Sequence, residues 1–226
     1  MTGIGIGVSP SIGKGGVLTP FSFPRLESWH DGRGGILTTG SGVETWDDRS
    51  GKGRDLTQST DNFRPSDTGN GSVLFDGVDE FLSVGFTLVQ PHTIYIFFRQ
   101  ITWVANARIF DGVTGSALLF QAGAGASPEV AIFAGQQLST TSSLVLNTFG
   151  VMACVFNGAN SFYRLDDSVQ HSGNAGGGNP GGITLGANNA GGQHSNIEVR
   201  QILSYSAAHN LAHVAGVTRM LQGFYN

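Results

Sequence analysis

Residues 46–58, WDDRSGKGRDLTQ, followed by residues 73–84, VLFDGVDEFLSV, carry the reading that decides the fold. An aromatic residue, Trp46, precedes a run of Asp, Ser and Gly, and a short apolar strand is then broken by Asp76-Gly77. Asp side chains fold back onto nearby amides and Gly supplies the positive φ that tight turns need. The pattern therefore predicts β-hairpins stacked in a sandwich.

The same cadence continues outward. Short apolar runs separated by turn residues predict strands at 72–75, 81–84, 93–99, 108–110, 117–121, 130–133, 151–156, 161–165, 183–186 and 197–205. TIYIFF (93–98) and VMACVF (151–156) are apolar on both alternations, as central strands covered on two sides should be. Asn157-Gly158, between two of these runs, predicts a two-residue hairpin turn. Near the end the period changes: Leu211, Val214, Val217, Leu221 and Phe224 recur at three and four, which predicts a C-terminal amphipathic helix. Gly216 inside it costs about 1 kcal/mol relative to Ala.

Residues 1–24 differ from the rest, with Gly alternating with Ile or Val, then Pro10, Pro20 and Pro24, and a single early charge, Lys14. They read as an extended docking arm before one domain at 25–226. A Gly-rich end frays unless something ties it down, so a neighbouring subunit is expected to hold it.

Composition narrows the function. Gly makes up 35 of 226 residues and charged residues only 12%, against a usual charged share of about 25%; many turns and little ionic surface follow. The 12 Lys and Arg are scattered and the net charge is −4, so no basic stripe exists to neutralise phosphates and nucleic acid is not an expected partner. Cys154 lies inside VMACVF and reads as a buried small hydrophobe. The N-terminal stretch lacks the basic and apolar regions of a secretory signal. No run of about 18 apolar residues predicts a membrane span.

The tryptophan, the D-x-S-G-x-G turn at 48–53 and FDGVDEFL at 75–82 resemble the opening half of the laminin-G-like, concanavalin A-type jelly-roll family. GGITLGA (181–187) and IEVRQILSYSAAHNLAHVAGVTRMLQGFY (197–225) resemble its closing strand and short final helix. The resemblance spans roughly residues 29–225, with only the rhythm matching from 104 to 146. It implies an all-β, two-sheet antiparallel jelly-roll sandwich with a short C-terminal helix, with Trp29 and Trp46 as core anchors. It also implies a binding module. Relatives hold Ca²⁺ at a loop edge, for which Asp47, Asp48, Asp76 and Asp79 are the matching carboxylates. Asx turns are the competing role for these four residues.

Catalytic patterns fail residue by residue. Jelly-roll glycosidases need two carboxylates facing each other across the scissile bond, whereas Glu27, Glu44, Glu80, Glu129 and Glu198 are isolated. Asp47-Asp48 and Asp166-Asp167 are adjacent, so within a strand they would point to opposite faces. His209 and His213 lack the zincin glutamate, since Asn210 stands in its place. The chain is expected to be non-enzymatic and without a cofactor, a structural Ca²⁺ at the four aspartates being the alternative to Asx turns. For sugar binding the places to look are Trp103 and the polar tract HSGNAGGGNPGG (171–182), with His171 and Asn174 as its candidate residues.

GIGIGVSPSIGKGG (3–16) is similar to openings of phage virion proteins that carry laminin-G-like domains. The leading expectation is thus a structural or adhesive virion protein, homo-oligomeric, docked to other virion proteins through residues 1–24 and facing host glycans. The alternatives are a carbohydrate-binding lectin module and a polysaccharide hydrolase or lyase.

Overall fold

The computed structural model describes residues 17–115, 117–122, 129–140 and 144–225. Among them are seventeen strands and one α-helix: β1 (Leu26–Asp31), β2 (Ile36–Thr39), β3 (Gly42–Trp46), β4 (Leu56–Thr57), β5 (Ser66–Asp67), β6 (Val73–Asp76), β7 (Leu82–Gly85), β8 (His92–Gln100), β9 (Arg108–Asp111), β10 (Leu118–Gln121), β11 (Val130–Phe133), β12 (Gln137–Thr140), β13 (Gly150–Phe156), β14 (Ser161–Leu165), β15 (His171–Gly173), β16 (Gly182–Leu185), β17 (Asn196–Tyr205) and α1 (Leu211–Gly223). All ten predicted strands are present. The other seven are β1 to β5, β12 and β15.

The strands form two antiparallel sheets. One runs β15-β14-β13-β8-β17-β6-β5, with β1 also on β17, and the other runs β12-β11-β10-β9-β16-β7-β4-β3-β2. One edge of β17 is shared: β6 pairs with it from Asn196 to Val199 and β1 from Gln201 to Tyr205. The chain is therefore the expected two-sheet sandwich with a short C-terminal helix.

Between the sheets lies the main core, where Trp46, Phe75, Ile94, Ile96, Phe98, Cys154 and Leu185 are all shut off from solvent. Burial pushes the Cys154 thiol pKa well up, which suits a packing role rather than a thiolate. A second apolar cluster forms where α1 covers the outer face of the eight-stranded sheet, joining Val214, Val217 and Leu221 to Tyr95, Phe97, Val151 and Trp29. Strands β8 and β13 are thus buried on both faces, which is why TIYIFF and VMACVF show no polar alternation.

The helix begins where Asn210 accepts the amide of His213 through its side chain. Gly216 has a structural reason: a Cβ there would come within 2.9 Å of the Phe23 ring. His209 lies before the helix, buried beneath the chain and bonded to the Tyr95 hydroxyl at 2.8 Å, so it does not share a helix face with His213. Of the segment read as an arm, residues 1–16 lie outside the described residues. Residues 17–24 follow the domain surface, with Phe23 buried and the Pro20 carbonyl accepting from Tyr205.

Two local expectations are corrected. Strands β6 and β7, on either side of Asp76-Gly77, do not form a hairpin; β6 pairs with β17 in one sheet and β7 with β16 and β4 in the other. The F-D-G stretch is where the chain crosses between sheets. Gly77 has φ +81 there, and a Cβ would lie 2.9 Å from Asn196. Strands β13 and β14 do form a hairpin, but residues 157–160 connect them through a 3₁₀ turn. Asn157 has φ −151, not the positive value a two-residue turn needs.

Candidate functional site

While α1 covers one sheet, the outer face of the other carries a smaller apolar cluster on β10 and β11. In β10, Leu119 enters the main core, so Leu118 and Phe120 point outward; in β11, Val130 and Ile132 point in while Ala131 and Phe133 point out. A register shift between Leu119 and Phe120 pairs Phe120 with Arg108, and such bulges re-aim side chains. Gln137 lies opposite Phe133 on β12.

The loop between β16 and β17 closes this patch on one side. The Asn188 side-chain oxygen accepts the amides of Ala190 and Gly192, both at 2.9 Å, which folds the loop on itself. The Gln193 carbonyl accepts the Arg108 amide, and the Asn189 amide reaches an Asp111 carboxylate oxygen at 3.3 Å. A recess of about 340 Å³ results, with Phe120 and Phe133 as apolar walls and Asn106, Gln137, Asn188, Asn189 and Gln193 around them.

Its electrostatics are unusual. The Arg108 guanidinium lies 4.6 Å from the Phe120 ring centre, and its Nε and Nη1 are buried with no partner among the described residues. Burial lowers the Arg108 pKa, partly offset by Asp111; burial likewise raises the Asp111 carboxyl, against hydrogen bonds from Gly112 and Asn189. Buried donors are normally satisfied. Aromatic walls, one carboxylate and a rim of amides suit a ring that is apolar on its face and hydroxylated at its edge.

Trp103 is half-buried in the loop between β8 and β9, three residues before Asn106, and that loop is tied to β10 by the Val104 amide and the Gln121 side chain. His171 packs its ring 5.1 Å from Tyr163, and the Asn174 side-chain oxygen accepts the Gly176 amide. The pairings of β13, β14 and β15 place residues 171–174 toward the His92 end of β8, whereas Trp103 follows its Gln100 end. The structure does not gather these three residues into one site. The recess residues were missed because 87 positions separate Asn106 from Gln193. One signal was present: LLF and VAIF are apolar on both alternations, and their outward residues Leu118, Phe120 and Ala131 are buried in a cluster of their own.

The four aspartates also stay apart in role. The Asp48 carboxylate accepts the amides of Trp29, Ser50 and Arg54 and the Ser50 hydroxyl, at 2.7 to 3.1 Å. Asp76 accepts the Val78 amide, and Asp47 is exposed. Among the described residues no three His, Cys, Asp or Glu side chains converge to hold a metal. Beside Asp76 and Asp79, Glu80 is pushed up to about 7, chiefly by burial and further by those two carboxylates. Its folded value exceeds the unfolded one, so its contribution to stability is fully present below about pH 4.3 and is lost as pH rises through 7. Melting temperatures from pH 4 to 8 should fall less steeply in Glu80→Gln; an unchanged slope would reject this assignment.

No protein-family model and no curated protein sequence matches the chain. Several solved structures share its fold. A Trypanosoma rangeli sialidase in complex with sialic acid matches with a TM-score of 0.61 at 15% identity, over 96% of this chain and 35% of that one. A GH54 α-L-arabinofuranosidase mutant soaked with its nitrophenyl arabinofuranoside matches with a TM-score of 0.62 at 14% identity, over 79% of this chain and 50% of that one. Domain 4 of a GH43 extracellular arabinanase from Geobacillus stearothermophilus, in complex with arabinotriose, matches with a TM-score of 0.56 at 11% identity, over 86% of this chain and 98% of that domain. The chain thus spans about a third of the sialidase's length.

These findings correct one expectation. The reading of the chain as non-enzymatic rested on missing sequence patterns, and it does not stand when structures sharing the fold are those of glycosidases. The virion setting finds no counterpart among these structures.

Proposed function

We propose that this chain is a carbohydrate-recognising β-sandwich that works with glycoside hydrolysis, and that it holds its glycan in the recess of β9 to β12. The observation that carries this is the recess itself, where the Arg108 guanidinium stacks on Phe120 inside a rim of amides. Sugar hydroxyls would take the rim amides, and the C–H face of the ring would rest against Phe133. The oligosaccharide in the arabinanase domain of the same fold supports the reading.

The test is calorimetric titration of the full chain with arabino-oligosaccharides and sialyl-oligosaccharides, alongside assays for release of reducing ends. Binding should weaken at least tenfold in Arg108→Ala and in Phe133→Ala, with melting temperature as the folding control. Product release abolished by Asp111→Asn would extend the recess from binding to catalysis. Folded variants that bind as tightly as the parent, or no binding and no release across the panel, would reject the proposal.

A further inference from the structure

On the opposite face a second recess, of about 370 Å³, opens at the C-terminal end of α1, lined by Phe97, Phe149, Arg200, Gln222 and Tyr225. Arg200 stands where β17 changes register against β8, between Val199 and Gln201. Its guanidinium carbon lies 3.8 Å from the Phe149 ring centre, 4.4 Å from Tyr225 and 5.3 Å from Phe97. Three rings therefore hold a planar cation in one orientation.

The neighbouring charges are already matched. Arg99 donates twice to one Glu198 oxygen, at 2.6 and 2.8 Å, while Ser72 takes the other. Arg33 pairs with Asp31, and Asp166 accepts from the Val151 amide and from Gln222. Arg200 differs: among the described residues no carboxylate forms an ion pair with its side chain, although the charge of Glu198 is felt there, and its Nε is buried without a partner. Burial lowers its pKa, yet a guanidinium keeps its proton in proteins.

We propose that this recess is a second binding site, for the carboxylate of an acidic sugar such as a uronic acid. The fork of N–H donors on Arg200 matches a carboxylate in a bidentate manner, which an ammonium does not reproduce. Phe149 and Tyr225 flank the sugar ring, and the Gln222 amide lies within the same recess for a hydroxyl. The site is on the helix-covered side of the sandwich, so it stands or falls separately from the recess at Arg108.

The test titrates the full chain, observed by NMR, with methyl glucuronide, with methyl glucoside and with inorganic sulfate. The two sugars differ only in the carboxylate. Glucuronide should bind at least tenfold more tightly than glucoside and shift the amides of Phe149 and Gln222. Arg200→Gln should remove that difference, and Arg200→Lys should restore only part of it. Equal affinity for the two sugars, sulfate binding as tight as glucuronide, or an unchanged preference in a folded Arg200→Gln would overturn the proposal. If Arg200→Gln does not fold, the comparison of ligands on the unmodified chain decides.

Discussion

Trp46→Ala should lower the free energy of unfolding by about 3–5 kcal/mol, the range for deleting a fully buried large aromatic side chain. Trp46 ends β3, pairs with Ile36 on one side and Leu56 on the other, and is completely shielded from solvent. Its ring meets that of His30 edge-on at 5.9 Å, across the gap between the sheets. Alanine would leave a cavity that two hydrogen-bonded neighbouring strands cannot collapse to fill. The indole Nε1 has no partner among the described residues, so the loss belongs to packing. Trp46→Phe should accordingly cost much less. Urea denaturation of both variants measures this, and a loss below about 1 kcal/mol for alanine would mean that Trp46 is not the anchor the burial implies.

Asp48→Ala is expected to cost about 2–4 kcal/mol, because it strands three backbone amides in a half-buried turn, each worth roughly 1 kcal/mol or more when left unmade. Those amides belong to Trp29, Ser50 and Arg54, so one carboxylate ties β1 to both ends of the loop after Trp46. Burial works to raise the Asp48 pKa, but the Ser50 hydroxyl and the three amides outweigh it and the net shift is downward. A depressed folded value means that the stabilisation is present above the unfolded pKa of about 3.9 and is lost as pH falls below it. The parent should therefore lose stability in acid more steeply than Asp48→Asn. Thermal melts from pH 2 to 7 read both effects. A rise in melting temperature on adding calcium that vanishes in Asp48→Ala would instead place the carboxylate on a cation.

The stretch around these two residues shows how far local chemistry reaches. Trp46 as a core anchor, implied by the resemblance, and the D-x-S-G turn, which follows from Asx bonding, are both what the structure shows. FDGVDEFL also turns where Gly77 predicts, but the direction of the turn was not legible. Whether the chain doubles back or crosses to the other sheet depends on β17, which arrives more than a hundred residues later to pair with β6. The strands left unread have a common cause. β4 and β5 are two residues long, and β1 is the polar run LESWHD, whose Ser28 and His30 are buried only because β17 and the sheet opposite cover them.

The candidate site was less legible still. A search for exposed tryptophan beside amides led to Trp103, whereas the recess uses phenylalanines and an arginine on three neighbouring strands. Strand alternation says that Leu118 and Phe120 share a face, but not what packs against that face. Arg200 is a similar case, since its environment comes from β8, the loop before β13 and the end of α1.

By itself the sequence determined the longer apolar strands, the C-terminal helix and the all-β class, because apolar period and turn chemistry act over a few residues. The tertiary structure alone decided which sheet α1 covers, where the chain crosses between sheets, and which two arginines lie among aromatic rings with no ion pair to the described residues. Those outcomes depend on pairing and packing between segments up to two hundred residues apart, and no local propensity encodes them.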